Sequence, residues 1–513
     1  MRSQSLFNIP VSETETFSRI FRIGILTIFI SAFSPAISSH GQEKTQNDTT
    51  RGPTILVGTF LGNEQRNYYG DEAPDTLDLL WRLWLGKGET VISRKAGSRI
   101  WAGAGWTGQP LLYHKDTTLF LVQGAYDHHL KKIDTQTHRV VWEYSFDDVV
   151  KGTGTLWIQK KDSSEALIVF QGSRLGVGNY LDSPHIPSFR AISLTQEKEL
   201  WRLDSKWTQS YSRDVDGSPL IIDDTLYIGL ENSLFTVINP DPEAAEVKDS
   251  MLQPEIIQET KLYTRKDVKD HKYNVVTESS PSRLGNMIFI TSGSGHVFRY
   301  NLKSRKIDWN FYIGSDIDGS PVITRDSCIL VSIEKQYIRG PGGVFKLDPR
   351  KPEKEAVIWF FPTDTSKIDS WEGGVIGSCG INDHYIDSTE TALAAFTGLD
   401  GYLYLVAHEK KDMERRVIGP DSTTFFPAPR MVIKKYIGPS ISTPLIVGNK
   451  LIVAGYNGIR LFRIMHNGED YSLKPLGRYN APFEATPVVW GKKIFIASRD
   501  GYLYCFGKQL KSP

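Results

Sequence analysis

Cysteine is almost missing from this chain: Cys328, Cys379 and Cys505 are the whole supply in 513 residues. They are far apart, with no Cys-x-x-Cys and no adjacent pair, which excludes a disulfide framework and a cysteine-rich zinc site. Charge of one sign is lacking too. Sixty basic residues face 59 acidic ones, a net +1, so no global field draws nucleic acid or an anionic membrane. No apolar run reaches the ~20 residues of a bilayer-spanning helix, and no 3.6-residue apolar period is sustained, which excludes a helical solenoid. Phosphate-cradling glycine loops, HExxH and GxSxG do not occur.

Glycine (44), Tyr (22), Phe (24) and Trp (12) are plentiful. Aromatics favour pleated half-buried surfaces and glycine serves the turns between them, so the composition points to an all-β chain. At the N-terminus, Arg19 and Arg22 precede the apolar run Ile23 to Ile30, followed by small residues through Ser38 and Ser39. This is a signal-peptide layout, with cleavage expected within Ser38 to Gln42 and a secreted or periplasmic location. Residues 1–41 are read as signal and leader, 42–53 as a flexible segment, 54–508 as one propeller and 509–513 as a tail. No stable membrane insertion is expected after cleavage.

Self-similarity organises the rest. Gly398-Leu-Asp-Gly-Tyr-Leu-Tyr-Leu-Val406 matches Ser498-Arg-Asp-Gly-Tyr-Leu-Tyr-Cys-Phe506, with looser copies at Gly293 and Gly455. Each reads as a glycine turn into an alternating strand, a hairpin. Upstream lies a small-residue lead-in ending in proline: Asp216-Gly-Ser-Pro219, Glu278-Ser-Ser-Pro281, Asp318-Gly-Ser-Pro321, Ser442-Thr-Pro444 and Glu484-Ala-Thr-Pro487. Downstream lies a tryptophan strand around Trp142, Trp201, Trp309 and Trp359, each expected to be buried between blades. One unit is thus four antiparallel strands with a period of roughly 40 to 60 residues, the pattern of a propeller blade. Units begin near Ala104, Asp147, Tyr211, Tyr273, Ser315, Asp364, Pro439 and Ala481. The last lacks a tryptophan strand, and Leu77 to Gly86 carries one (Trp81) without a unit, so an N-terminal strand is expected to close the eighth blade. The charged stretches Pro242 to His271 and Glu409 to Arg430 read as surface loops.

The Ser-Pro lead-in, the Asp-Gly-Tyr-Leu-Tyr hairpin and the Trp-x-aromatic strand together resemble the pyrroloquinoline-quinone (PQQ)-like propeller repeat, from about Thr54 to Gly507. The resemblance implies an eight-bladed propeller. Function it leaves open, since quinoprotein dehydrogenases share the repeat with assembly and scaffold proteins. The dehydrogenases clamp their quinone with two adjacent cysteines; this chain has none, so PQQ is not an expected cofactor.

Candidate chemistry lies where the lead-ins and the turns between second and third strands share the channel mouth. Asp216, Glu278, Asp318 and Glu484, with Glu372 approximately aligned, form a carboxylate series. Asp216, Glu278, Asp318 and Glu372 are candidate metal ligands, Ca²⁺ being the ion that prefers such hard oxygens. An acid ahead of Gly-Ser-Pro also makes ordinary turn hydrogen bonds. Three early blades depart from the repeat: Trp101 and Trp106 with Tyr126-Asp-His-His129, the Arg174 to Arg190 turn containing His185, and Tyr211-Ser-Arg213. His128, His129, Tyr211 and Arg213 are the catalytic candidates, and Trp106, Arg174, His185, Arg190 and Trp371 the ligand-binding ones. Arg213 is expected to reach the space of Asp216 and Glu278. Adjacent histidines on a strand point to opposite faces, so at most one of His128 and His129 serves a given site.

Three functions compete: an exported binding or scaffold propeller with a saccharide or protein partner at the mouth beside blades 1–3, a carbohydrate-active enzyme such as a polysaccharide lyase, and a quinone-dependent oxidoreductase, ranked last.

Overall fold

A computed structural model describes residues 52–93, 96–161, 164–175, 187–368 and 371–509. Alternating apolar side chains and glycine turns produce eight antiparallel blades of four strands, spanning residues 111–145, 155–203, 220–261, 282–312, 322–362, 380–436, 445–479 and 488–507. Among the described residues the only α-helix is Arg265–Asp270. The eighth blade is completed by Asp78–Trp84, which pairs antiparallel with Tyr502–Gly507. That ring closure ties the two ends of the propeller chain and covers an edge that would otherwise recruit other strands.

The repeated residues have local reasons. In the Asp-Gly-Tyr-Leu-Tyr hairpins, Asp400 accepts from Tyr402 N (3.1 Å) and Tyr404 Oη (2.6 Å), and Asp500 from Tyr502 N (3.3 Å) and Tyr504 Oη (2.6 Å). Gly401 and Gly501 sit at φ +86° and +101°, which a side chain resists. The lead-in hydroxyls knit neighbouring blades around the axis: Ser218 N donates to Ser280 Oγ, Ser280 N to Ser320 Oγ and Ser320 N to Ser378 Oγ, each 2.9 Å, and Ser378 N to Thr443 Oγ1 at 3.0 Å.

The outer-strand tryptophans bridge outward to the following blade. Trp201 Nε1 donates to Pro240 O (3.1 Å), Trp309 to Lys351 O (2.9 Å) and Trp359 to His408 O (2.9 Å). Trp81 of the closing strand stacks on His138 of blade 1, 4.9 Å between centroids. Trp201 and Trp359 are fully buried as expected. Trp142 and Trp309 are only half-buried; all four stand on outermost strands, but the hairpin of blade 3 and the extended hairpin of blade 6 lie against the strands of Trp201 and Trp359.

Two stretches read as surface loops are built into the fold. Within Pro242 to His271 lie the hairpin Glu246–Lys248 and Met251–Gln253, the outer strand of blade 3, Glu255–Lys261, and the helix. Glu409 to Arg430 extends the outer hairpin of blade 6, strands Tyr402–Ile418 and Phe425–Tyr436. Its Val417, Phe426 and Ala428 pack on Phe345 and Phe360 of blade 5. High charge disguised both, since an outer strand needs only one apolar face.

Residues 54–72 form a plug that repeat analysis does not detect. Thr54–Val57 pairs with Leu111–Lys115 on the axial side of blade 1. The chain then visits inner strands in turn: Leu156 N donates to Gly58 O (2.7 Å), Ile323 N to Gln65 O (3.0 Å), Ile381 N to Tyr69 Oη (2.8 Å) and Val489 N to Tyr69 O (2.9 Å). Arg66, fully buried, donates to Pro281 O (2.9 and 2.7 Å), Phe60 O (2.7 Å), Thr59 Oγ1 (2.7 Å) and Ser218 O (3.3 Å). The channel is therefore occupied below the mouth.

Candidate functional site: the propeller mouth

Two sets of side chains converge on the mouth. The first stands four residues before each innermost strand: Lys151, Asp216, Glu278 and Asp318 in blades 2 to 5, Ile376 and Ile441 in blades 6 and 7, Glu484 in blade 8. The second stands one or two residues after the last paired position of the second strand: Tyr126, Arg174, Glu231, Glu334, Leu399, Tyr456 and Arg499 in blades 1, 2, 3, 5, 6, 7 and 8. Strand register places these positions equivalently, so their chemistry divides the mouth into sectors.

The sector over blades 3 to 5 is acidic. Asp216, Glu231 and Glu278 bring carboxylate oxygens to within 4.8 Å of one another. Asp316, Asp318 and Glu334 lie beside them, Asp318 and Glu334 sharing a hydrogen bond. Lys151 pairs with Asp216, and Asn274 Nδ2 donates to Asp316 Oδ2 at 2.6 Å. Asp216 and Glu231 are 1% and 2% exposed, and Glu231 Oε1 and Asp216 Oδ1 have no hydrogen-bond partner. Such oxygens are costly to bury unless something compensates them.

Burial pushes Glu231, Glu278, Asp316 and Glu334 well above the usual carboxylate range. Like-charged neighbours reinforce it: Asp216 and Glu278 act on Glu231, Asp318 on each of the other three. Asp216 and Asp318 rise for the same first reason, offset by Lys151. A raised carboxylate means the native state holds more protons than the unfolded chain between its ordinary pKa of ~4 and the native value, so stability falls as pH rises through that window. Freed of cations, the protein is expected to melt at higher temperature at pH 5 than at pH 8, and added Ca²⁺ should raise the melting point more at pH 8. Calorimetric melts in chelator and in Ca²⁺ check this; an equal or higher melting point at pH 8 in chelator contradicts it.

The sector over blades 6, 7 and 1 is apolar: Trp106 packs with Ile376, Leu399 and Ile441, with Ile368 and Trp371 against them. Between blades 8 and 1, Arg499 holds Glu484 (2.9 and 2.8 Å) and lies over the rings of Trp101 (5.2 Å) and Tyr126 (5.0 Å).

The sequence candidates thus scatter. Asp216, Glu278 and Asp318 converge, joined by Glu231, Asp316, Glu334 and Lys151, which sequence reading missed. Glu372 does not join: it is exposed on the hairpin Thr365–Ile368 and Trp371–Gly373, and Ile376 holds the equivalent place. Arg213 turns away from the carboxylates. It is buried over Trp207, 4.1 Å from the ring centroid, and donates to Ser210 O at 3.2 Å and to Ser212 O. Arg174 is neutralised by Asp214 (2.9 Å) and donates to Thr90 Oγ1 (2.7 Å). Arg190 is a buried clamp on Asp147 and Tyr144 between blades 1 and 2.

His128 occupies the hairpin-glycine position at φ +69°, with Nε2 2.7 Å from Glu89 O of the hairpin Lys87–Ser93 and Gly97–Ala102. His129 is held between Asp127 O (2.7 Å) and Ser145 Oγ (2.9 Å). Tyr211 is exposed. His185 and the signal segment lie outside the described residues. The signal for the missed acids was in the turns: Glu231 and Glu334 replace Leu399, Tyr456 or Arg499 at one repeat position, and Lys151-Gly-Thr153 parallels Asp216-Gly-Ser218.

No protein-family model matches the chain, and no curated protein matches its sequence. Solved structures do match in shape. The quinohemoprotein alcohol dehydrogenase of Comamonas testosteroni superposes with a TM-score of 0.54 at 12% identity, over 89% of this chain and 82% of that one. This chain has the fold of the PQQ-like propellers. BamB of Moraxella catarrhalis (TM-score 0.46, 10% identity, 85% of this chain and 99% of that one) and the designed protein Ika8 (0.46, 10%, 80% and 100%) are further matches.

A shared fold does not carry the dehydrogenase chemistry over. PQQ is itself a polycarboxylate, and the mouth opposes it with Asp216, Glu231, Glu278 and Asp318, while Arg174 and Arg499 are already paired with acids. Cys328, Cys379 and Cys505 are buried singly. The residues present do not fit that group.

Proposed function

We propose that this chain is a binding propeller that works outside the cytoplasm and takes a cationic ligand at its mouth. One observation carries the reading: three carboxylates, Asp216, Glu231 and Glu278, converge within 4.8 Å, and two of their buried oxygens lack any partner. An all-oxygen donor set suits a hard divalent ion such as Ca²⁺, which accepts mono- or bidentate carboxylates and completes its shell with water. Lys151 holds part of that negative charge until the ligand arrives. The signal-peptide layout supports export.

The lyase reading is not favoured. Proton abstraction beside a carboxylate needs a charge neutraliser and a base together, and Arg213, His128 and His129 are each engaged with separate backbone groups.

The test is a calorimetric titration of Ca²⁺, Mg²⁺ and putrescine into chelator-treated protein. Saturable binding of at least one is expected, with affinity at least ~10-fold weaker in Glu231→Gln. Glu231→Gln should also melt higher than wild type in chelator, because it removes one of the mutually repelling carboxylates. No binding by any of the three ends the proposal.

A further inference from the structure

Outside the mouth, on the rim of blade 3, the loop that follows blade 2 and the end of Glu255–Lys261 bound a groove of about 590 Å³. Trp207, Thr208 and Gln209 form one side, and Lys261, Tyr263 and Arg265 the other. Its character is opposite to the mouth's. Lys261 and Arg265 have no acidic partner among the described residues, and the nearby acids are already engaged. Asp267 accepts from Thr264 N (2.7 Å) and Oγ1 (2.8 Å) and lies 3.3 Å from His296, and Glu259 pairs with Lys206.

Behind Trp207 sits a third cation. Arg213 is 1% exposed, its guanidinium carbon 4.1 Å from the centre of the Trp207 ring. Only its Nη1 has hydrogen-bond partners; Nε and Nη2 are buried without one. Trp207 itself stays 44% exposed although it packs on Arg213. A buried guanidinium with open donors and no carboxylate in contact is an unfavourable arrangement that a nearby anion relieves.

From these juxtaposed features we propose that the groove binds a sugar ring bearing an anionic substituent, a uronate carboxylate or a sulfate. The flat indole of Trp207 offers its face to the apolar side of a pyranose, and the buried Tyr263 ring, with the Lys261 ammonium over it, backs the groove wall. Lys261 and Arg265 flank them to take the charge, and Arg213 adds positive potential from behind. An acidic peptide would use the cations alone and gain little from the indole face. This site is separate from the cation site of the mouth and does not rest on it.

The test titrates the full chain with tri-galacturonate, a chondroitin sulfate tetrasaccharide, neutral maltotriose and a hexa-aspartate peptide. At least one acidic oligosaccharide should bind at least ~10-fold more tightly than maltotriose, and weaken as salt rises from about 0.05 to 0.5 M. The two acidic probes tell carboxylate from sulfate. Trp207→Ala and the double variant Lys261→Gln/Arg265→Gln, both altering surface side chains, should each weaken it at least ~10-fold while leaving the Ca²⁺ isotherm unchanged. Arg213→Lys, which keeps the charge but loses the planar stack, should weaken it as well. The proposal is overturned if neither acidic oligosaccharide binds, if Trp207→Ala and the double variant bind like wild type, or if hexa-aspartate binds more tightly than both. Lost Ca²⁺ binding in Glu231→Gln with saccharide binding intact bears on the mouth alone.

Discussion

A chain lacking residues 1–86 is expected to aggregate rather than fold, whereas one lacking only residues 1–73 should remain a monomer of reduced stability. The longer deletion removes Asp78–Trp84 and leaves the backbone of Tyr502–Gly507 unpaired along one side. An open strand of alternating apolar residues is a template for edge-to-edge association. The shorter deletion keeps the closure but empties the channel of Thr54–Val57 and of Arg66, Tyr69 and their hydrogen bonds. Arg66→Ala isolates the central part of that loss. It strands the carbonyls of Pro281, Phe60 and Ser218 inside the protein, and with a cost of ~1 to 3 kcal/mol for each buried group left unpaired, at least ~3 kcal/mol is expected. Size-exclusion chromatography and thermal melts decide. A 1–86 deletion that is monomeric and as heat-stable as the full chain refutes the closure, and an Arg66→Ala variant of unchanged stability refutes the plug.

The second large effect concerns the blade tryptophans. Trp201→Ala and Trp359→Ala should each cost ~3 to 5 kcal/mol, since each empties a fully buried volume and removes a bond to the next blade. Trp201 rests on Phe170 and Phe189, 5.6 and 5.9 Å between centroids, and Trp359 donates to His408 O, whose imidazole is held by Asp383 at 2.8 Å. Trp142→Ala and Trp309→Ala should cost clearly less, because water already reaches those rings. Urea unfolding at constant m-value measures all four. Equal losses at Trp201, Trp309 and Trp359 would mean that the inter-blade bond each makes, not burial, sets the cost.

Much of this molecule was legible because blade chemistry is local. The Asp-Gly-Tyr-Leu-Tyr hairpins, the Ser-Pro lead-ins and the tryptophan strands each satisfy themselves within a few residues or against an identical neighbour. Repetition therefore reports the fold, and the missing half-blades at the two ends report its closure. Asp216, Glu278 and Asp318 were readable for the same reason, since each begins a recognisable lead-in.

The mouth required the folded ring. Glu231 and Glu334 stand just beyond the last pair of their strands and meet Asp216 and Asp318 only because neighbouring blades converge radially. Arg213 has the charge to join them but sits against Trp207, because the loop after blade 2 offers an aromatic face and backbone carbonyls nearer than any carboxylate.

The sequence by itself determined the all-β class, the eight-blade repeat and the ends that join. Their information lies in strand alternation and turn residues, which act over short range. Only the tertiary structure decided which sector of the mouth is acidic, that Glu372 gives way to Ile376, and that residues 54–72 fill the channel. The plug has no pattern of its own: its hydrogen bonds are completed by the inner strands of most of the blades, and such partners exist only once the ring has formed.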